Sequence, residues 1–310
     1  MQVRPVTAIT LEVRHDTRYE YAAPVSPAMH LAHLQPLSDA AQVLVKHQLV
    51  VDPGPDELAT EPDVFGNARC RFAVVAPHRA LLVRAISRVV VEPRFDALNA
   101  AESPPWEQLV ERLHYVARAP FEPAVAFVQP SPFVPRLPAL RAYALASFAP
   151  GRPVAEAVLD LMHRVHVDFA YDGSATHVDT PMEEVLAQRR GVCQDFAHLM
   201  AGVLRMLGLP ARYVSGYLLT HAPDGGAALV GADASHAWVQ AWVPGTTGVP
   251  DDGWLDLDPT NDLVPGVGHV RLAVGRDYGD VTPLRGVIHG GGSHTLEVAV
   301  HTQVLGPLVA

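Results

Sequence analysis

A helix-period apolar stripe, Phe196, Leu199, Met200, Val203, Leu204 and Leu207, begins directly behind Cys193 and stops at Gly208 and Pro210. It constrains the fold more than any other stretch, because it predicts a core-facing helix whose first turn carries a thiol. Unpaired backbone N–H groups at a helix start favour thiolate over thiol, whose free pKa is about 8.5, and the same groups can receive an oxyanion. A lone cysteine is equally at home as a small buried hydrophobe. Partners decide between the two readings.

Two downstream segments offer partners. His236-Ala237-Trp238-Val239-Gln240-Ala241-Trp242-Val243 places His, Trp, Gln and Trp on one face and Ala, Val, Ala and Val on the other, which predicts a strand buried on both sides with a histidine at its start. Trp254-Leu255-Asp256-Leu257-Asp258 reads as a second strand, and period two puts both aspartates on one face. Parity does not choose between them. Position favours Asp258, which stands at the strand end before Pro259, where the chain turns and a carboxylate can reach a cleft to hold an imidazole tautomer. Asp-Pro-Thr-Asn-Asp is also ordinary turn chemistry. Trp238, Trp242 and Trp254 either wall the cleft or serve as plain core aromatics. Asp195 and His198 lie near the thiol in sequence, but their helical offsets turn them to other faces.

These blocks resemble the transglutaminase-like core of bacterial proteins: Gly191-Val192-Cys193-Gln194-Asp195-Phe196-Ala197-His198, then Gly208-Leu209-Pro210-Ala211-Arg212-Tyr213-Val214-Ser215-Gly216-Tyr217, then His236-Ala237-Trp238, then Trp254 to Thr260. The resemblance implies an α+β, papain-like fold, in which the cysteine-bearing helix packs on an antiparallel sheet, and a triad of Cys193, His236 and Asp258 without a cofactor. The stretches around His15 to Tyr21, Leu34-Gln35-Pro36, Asp63 to Asn67 and Arg276 to Gly286 are similar to the β-rich N-terminal domain and tail of the same family. Gln194 follows the cysteine here, whereas the animal cross-linking enzymes carry Gln before it and Trp after it. Their extra β-sandwich domains and acidic calcium clusters have no counterpart in this sequence.

The amino-terminal part reads as strands at 9–13, 43–51, 69–75 and 81–91, with turn signals between and no helical period. We expect a β-rich domain over 1–97, a helical, proline-rich connector over 98–150 and the catalytic core over 151–310. In that core a helix follows Pro153, Thr180-Pro181-Met182-Glu183 is a capping box, and Gly290-Gly291-Gly292 turns a C-terminal hairpin. With 49% hydrophobic residues the 310-residue chain can bury a large core.

A net charge of −10 argues against nucleic acid as a partner. No H-E-x-x-H or C-x-x-C pattern marks a metal site, and the glycine run lacks the Lys-Ser/Thr of a phosphate loop. Two cysteines far apart, no leader-like apolar stretch in the first residues and no run long enough to span a bilayer predict a cytoplasmic enzyme with no membrane partner. The expected reaction is acyl transfer from a peptide or protein amide through a Cys193 thioester, resolved by water; the alternatives are a protein-glutamine transamidase, a more distant acetyl transferase, or a binding module that kept only the fold.

Overall fold

The computed structural model describes residues 8–219, 229–231 and 235–307. The first seven residues, read above as lacking a leader, lie outside them. β1 (Ile9–Ala32) is 24 residues long and is the spine of a seven-stranded antiparallel sheet. On one side it pairs first with β5 (His78–Val91) and then with β4 (Ala68–Val74), while β2 (Gln42–Asp52) extends β5 and β3 (Glu57–Pro62) extends β4. Inward positions of β1, such as Leu11, Val13, Val25 and Ala28, are buried and alternate with more exposed ones, as expected of a sheet with one covered face.

After the sheet come α1 (Trp106–Arg112), α2 (Pro138–Ala144), α3 (Val154–Asp168), the short β6 (Ala170–Tyr171), α4 (Met182–Gln188) and β7 (Arg190–Gly191). α5 (Cys193–Met206) follows and lies against a second antiparallel sheet, built from β8 (Ala211–Leu218), β9 (His236–Trp242), β10 (Trp254–Leu257) and β11 (His269–Gly275) in the order β10-β9-β8-β11. The proline-rich stretch does more than connect: Leu109, Phe127, Leu140, Tyr143 and Phe148 join α3, α5 and β9 in one apolar cluster. Each such side chain, taken wholly out of water, contributes about 1.5–3 kcal/mol. The helix at 182–188 forms, but without the expected capping box: the Thr180 hydroxyl accepts the N–H of His177 instead.

The tail departs from expectation. After α6 (Tyr278–Val281), β12 (Leu284–Gly290) and β13 (His294–Pro307) do not form a hairpin. Both run antiparallel to β1, β12 along Val25–Ala32 and β13 along Ile9–Tyr21, so the tail belongs to the N-terminal sheet. Gly290, Gly291 and Gly292, with φ of 87°, 83° and 63°, let the strand step past the kink in β1 rather than reverse.

Two primary amides join the sheets. The edge strand β11 would leave backbone groups unpaired. The Gln42 side chain donates to the Arg271 carbonyl at 2.8 Å and accepts the Arg271 N–H at 2.7 Å; Asn67 does the same to Val274 at 2.7 and 2.8 Å. Leu11, Val13, Val89 and Val91 pack on Tyr217, Leu219, Val270 and Leu272 in the seam between the sheets.

Candidate active site

The start of α5 is held by its own third residue. Asp195 Oδ2 accepts the Val192 N–H at 2.8 Å and the Thr176 hydroxyl at 2.6 Å, which ties the turn before Cys193 to the preceding loop. Gly191 makes this possible, because a Cβ there would stand 2.6 Å from that oxygen. His198 is turned away from the thiol: its Nε2 accepts the Tyr278 N–H at 3.1 Å, and burial lowers its pKa to about 3, so it is neutral. Both residues therefore serve the structural roles that their offsets predicted.

Cys193 and His236 line one cavity of about 460 Å³, together with Tyr171, Tyr213, Gly231 and Tyr278. Cys193 is half-buried and unpaired, and the Cys70 thiol is buried elsewhere in β4. His236 directs Nε2 to Asp258 Oδ2 at 2.9 Å, which leaves Nδ1 as the nitrogen nearest the sulfur. Nδ1 is buried without a well-aligned hydrogen bond, yet Cys193 is close enough for its negative charge to act on the ring. Apo geometry of this kind is commonly loose. Burial opposes charge on His236, but its interactions with the Asp258 carboxylate and with Cys193 together outweigh it and raise the imidazole pKa to about 10. Burial likewise opposes charge on Asp258, but its contacts with His236 and His269 hold the carboxyl well below the usual range.

The two aspartates separate clearly. Asp256, which shares a strand face with Asp258, accepts the Trp238 indole N–H at 3.0 Å and does not touch His236. Asp258 is saturated: Oδ1 accepts the N–H groups of Thr260 at 3.0 Å and Asn261 at 3.3 Å, while Oδ2 receives His236, His269 Nε2 at 3.2 Å and Asn261 Nδ2 at 2.9 Å. Carboxylates with several donors stay ionised. His269 and Asn261 escaped the sequence reading. The signal for His269 was present, since it opens a buried strand just as His236 does, but its nearness to Asp258 depends on the pairing of β11 with β8.

Tyrosines wall the crevice rather than tryptophans. Trp242 and Trp254 are core residues, and Trp238 stacks against the His236 ring, 6.1 Å between centroids, as a buried support. Tyr213 stays a neutral phenol, its pKa raised well above 10 by burial and by the charge of Cys193. A cavity of similar volume, about 460 Å³, lies on the N-terminal sheet beside Met29 and Phe72, but no cysteine, serine or threonine lines it. Among the described residues no group of three or more His, Cys, Asp or Glu side chains is arranged to hold a metal ion.

Comparison with known proteins agrees with this architecture. Residues 141–259 match the transglutaminase-like superfamily and residues 11–90 match the bacterial transglutaminase-like N-terminal region. An uncharacterized protein of Mycobacterium tuberculosis is 39% identical over 279 residues, covering 89% of this chain and 87% of its own. The chain belongs to the transglutaminase-like superfamily. A relative from Mycobacterium leprae is 33% identical over 296 residues, covering 94% of this chain and 97% of its own. A crystal structure described as that of a "putative cysteine protease" from Cytophaga hutchinsonii shares the fold, with a TM-score of 0.72 at 22% identity over 98% of this chain and 93% of that one. A protein-glutamine gamma-glutamyltransferase of Pseudomonas aeruginosa is 39% identical over 103 residues, which is 32% of this chain and 14% of that protein. Among the described residues no helix is long and apolar enough to cross a membrane.

Proposed function

We propose that this member of the superfamily is a cysteine-dependent amide hydrolase that works through a Cys193 thioester. The observation that carries the reading is the contact of His236 Nε2 with Asp258 Oδ2 at 2.9 Å, in a ring that lines the same cavity as Cys193. The Cys193 thiolate attacks the carbonyl of a peptide or isopeptide amide. The oxyanion forms beside the first N–H groups of α5, which have no partner within the helix. His236 gives its Nδ1 proton to the leaving amine as the C–N bond breaks, and a thioester remains. Water then loses a proton to Nδ1, attacks the thioester, and releases the acid and the thiolate. Asp258 holds the ring and its charge throughout. Both cysteines are free, which suits a reducing compartment such as the cytoplasm and keeps the nucleophile available.

A transamidase is the second reading. It is favoured by the local likeness to the gamma-glutamyltransferase, in which an amine takes the place of water. One experiment addresses both. Iodoacetamide should alkylate Cys193 near pH 7 faster than it alkylates a free thiol, and a separate, unalkylated sample should be offered a glutaminyl or isopeptide substrate with a labelled amine. Release of acid or cleavage without label supports hydrolysis; incorporated label supports transfer. Full activity in Cys193→Ala would defeat both.

A further inference from the structure

One wall of the crevice is main chain. Val230 and Gly231 run past the His236 ring, and a Cβ on Gly231 would stand 2.9 Å from Nδ1, closer than side-chain carbons normally approach. Gly231 has φ of +89°, a region that favours glycine. Asn261 holds this stretch from behind. Its Oδ1 accepts the Val230 N–H at 2.8 Å, and its Nδ2 donates to the Val230 carbonyl at 3.3 Å and to Asp258 Oδ2 at 2.9 Å. A single amide thus fixes the wall and the acid that orients the imidazole. Nδ1 itself is shut off from solvent.

This inference rests on the thiol reading above. In that chemistry the leaving amine receives its proton from Nδ1, and the acceptor later returns one to the same atom. Both must therefore stand between the acyl carbon on Sγ and the ring edge, directly beside Gly231. We infer that the Val230–Gly231 main chain, fixed by Asn261, bounds the shared leaving-group and acceptor subsite and sets the bulk of amine it accepts. It admits water and amines unbranched next to nitrogen, and it rejects amines branched there. Gly231 shapes the subsite by lacking a side chain, and Asn261 is a positioning residue that acts through the Val230 backbone.

The test loads Cys193 from an activated peptide ester, so that acylation does not depend on an amine leaving group. The acyl-enzyme is then offered water with methylamine or isopropylamine, and the products are counted by mass spectrometry. The wild type should prefer methylamine over isopropylamine by about tenfold or more, beyond their difference with a free thioester. Asn261→Ala, which frees the wall, should shrink that preference several-fold. Gly231→Ala, which narrows the subsite, should lower both amine products relative to acid. Because products are expressed per acyl-enzyme formed, partial loss of folded protein does not enter, and Asn261→Ala decides alone if Gly231→Ala does not fold. Acyl-enzyme that forms in the wild type with the free thioester's amine preference, or with a preference unchanged in Asn261→Ala, overturns the wall while leaving the thiol reading intact. Failure of the wild type to form any acyl-Cys193 overturns the thiol reading and the wall with it.

Discussion

His15 in the N-terminal sheet and His236 in the core sheet are equally buried, each 1% exposed, yet they sit in opposite charge states. His15 lies between the Tyr217 hydroxyl and the Thr17 hydroxyl, both at 3.0 Å, and burial lowers its pKa to about 4. His30, stacked on Phe72, is likewise lowered to about 4. His236 suffers the same desolvation but has a carboxylate on one side and a sulfur on the other, and its pKa rises to about 10. Burial sets the cost of the charge; the partner decides whether the charge survives. The seam between the sheets therefore holds His15 as a neutral, hydrogen-bonded strut, and the crevice holds a charged imidazole.

Removing the partner should break this contrast with the largest effect. Asp258→Ala leaves His236 with burial and no carboxylate, so its titration, followed by imidazole NMR, should fall from about 10 to below its free value of about 6.5. Under the proposed thiol chemistry turnover should drop by about 10³–10⁴-fold, as when the orienting acid is lost from a Ser-His-Asp triad. The sign is fixed by the folded state. A raised histidine pKa means that the charged pair stabilises fully below pH 6.5 or so and is lost as pH rises through about 10. The depressed Asp258 pKa means that its share is present above about pH 4 and is lost on acidification. A His236 that still titrates near 10 in Asp258→Ala would show that the carboxylate is not what holds its charge.

Asp256 sharpens the comparison, because it occupies the same strand face and is buried as deeply. Its bond goes to the Trp238 indole, beneath the histidine rather than on it. Asp256→Asn should therefore leave His236 charged and keep kcat/KM within about tenfold of the wild type, while exchanging a charged for a neutral acceptor at the Trp238 indole costs about 1 kcal/mol of stability in urea unfolding. Equal losses of activity in Asp256→Asn and Asp258→Asn would show that the crevice does not distinguish the two acids.

What the sequence made legible follows from how local each signal is. Cys193 at a helix start, His236 at the start of a buried strand and Asp258 at a strand end before proline are all one-element features, readable without knowing what packs where. His269 opens a buried strand as His236 does, and Asn261 stands three residues after Asp258, but their part in the site, like that of Gly231, depends on strand pairing and on a side chain that bridges loops, which local sequence does not reveal. The tail shows the same limit. Gly290-Gly291-Gly292 does carry positive φ as a turn would, but its strand partner is β1, more than 250 residues away in the chain, so local chemistry suggested a reversal where the fold makes a step. The length of β1 was hidden for a related reason, because its second half is held between β4 and β12 rather than marked by strict alternation.

The smallest effect concerns the neutral side of the comparison. A histidine whose folded pKa is lowered binds no proton where the unfolded chain does, so His15 costs stability as pH falls below about 6.5 and stops costing more near 4. Between pH 7 and pH 5 that one residue should remove roughly 2 kcal/mol. His15→Gln keeps a polar side chain between Tyr217 and Thr17 but does not titrate. The variant should be less stable than the wild type at pH 7, because the two ring bonds are imperfectly replaced, but it should lose less on acidification. Urea midpoints measured at pH 7 and pH 5 read this directly. A difference between the two pH values that matches the wild type would mean that His15 titrates in the folded seam as it does in the unfolded chain, and the contrast between the two sheets would then rest on His236 alone.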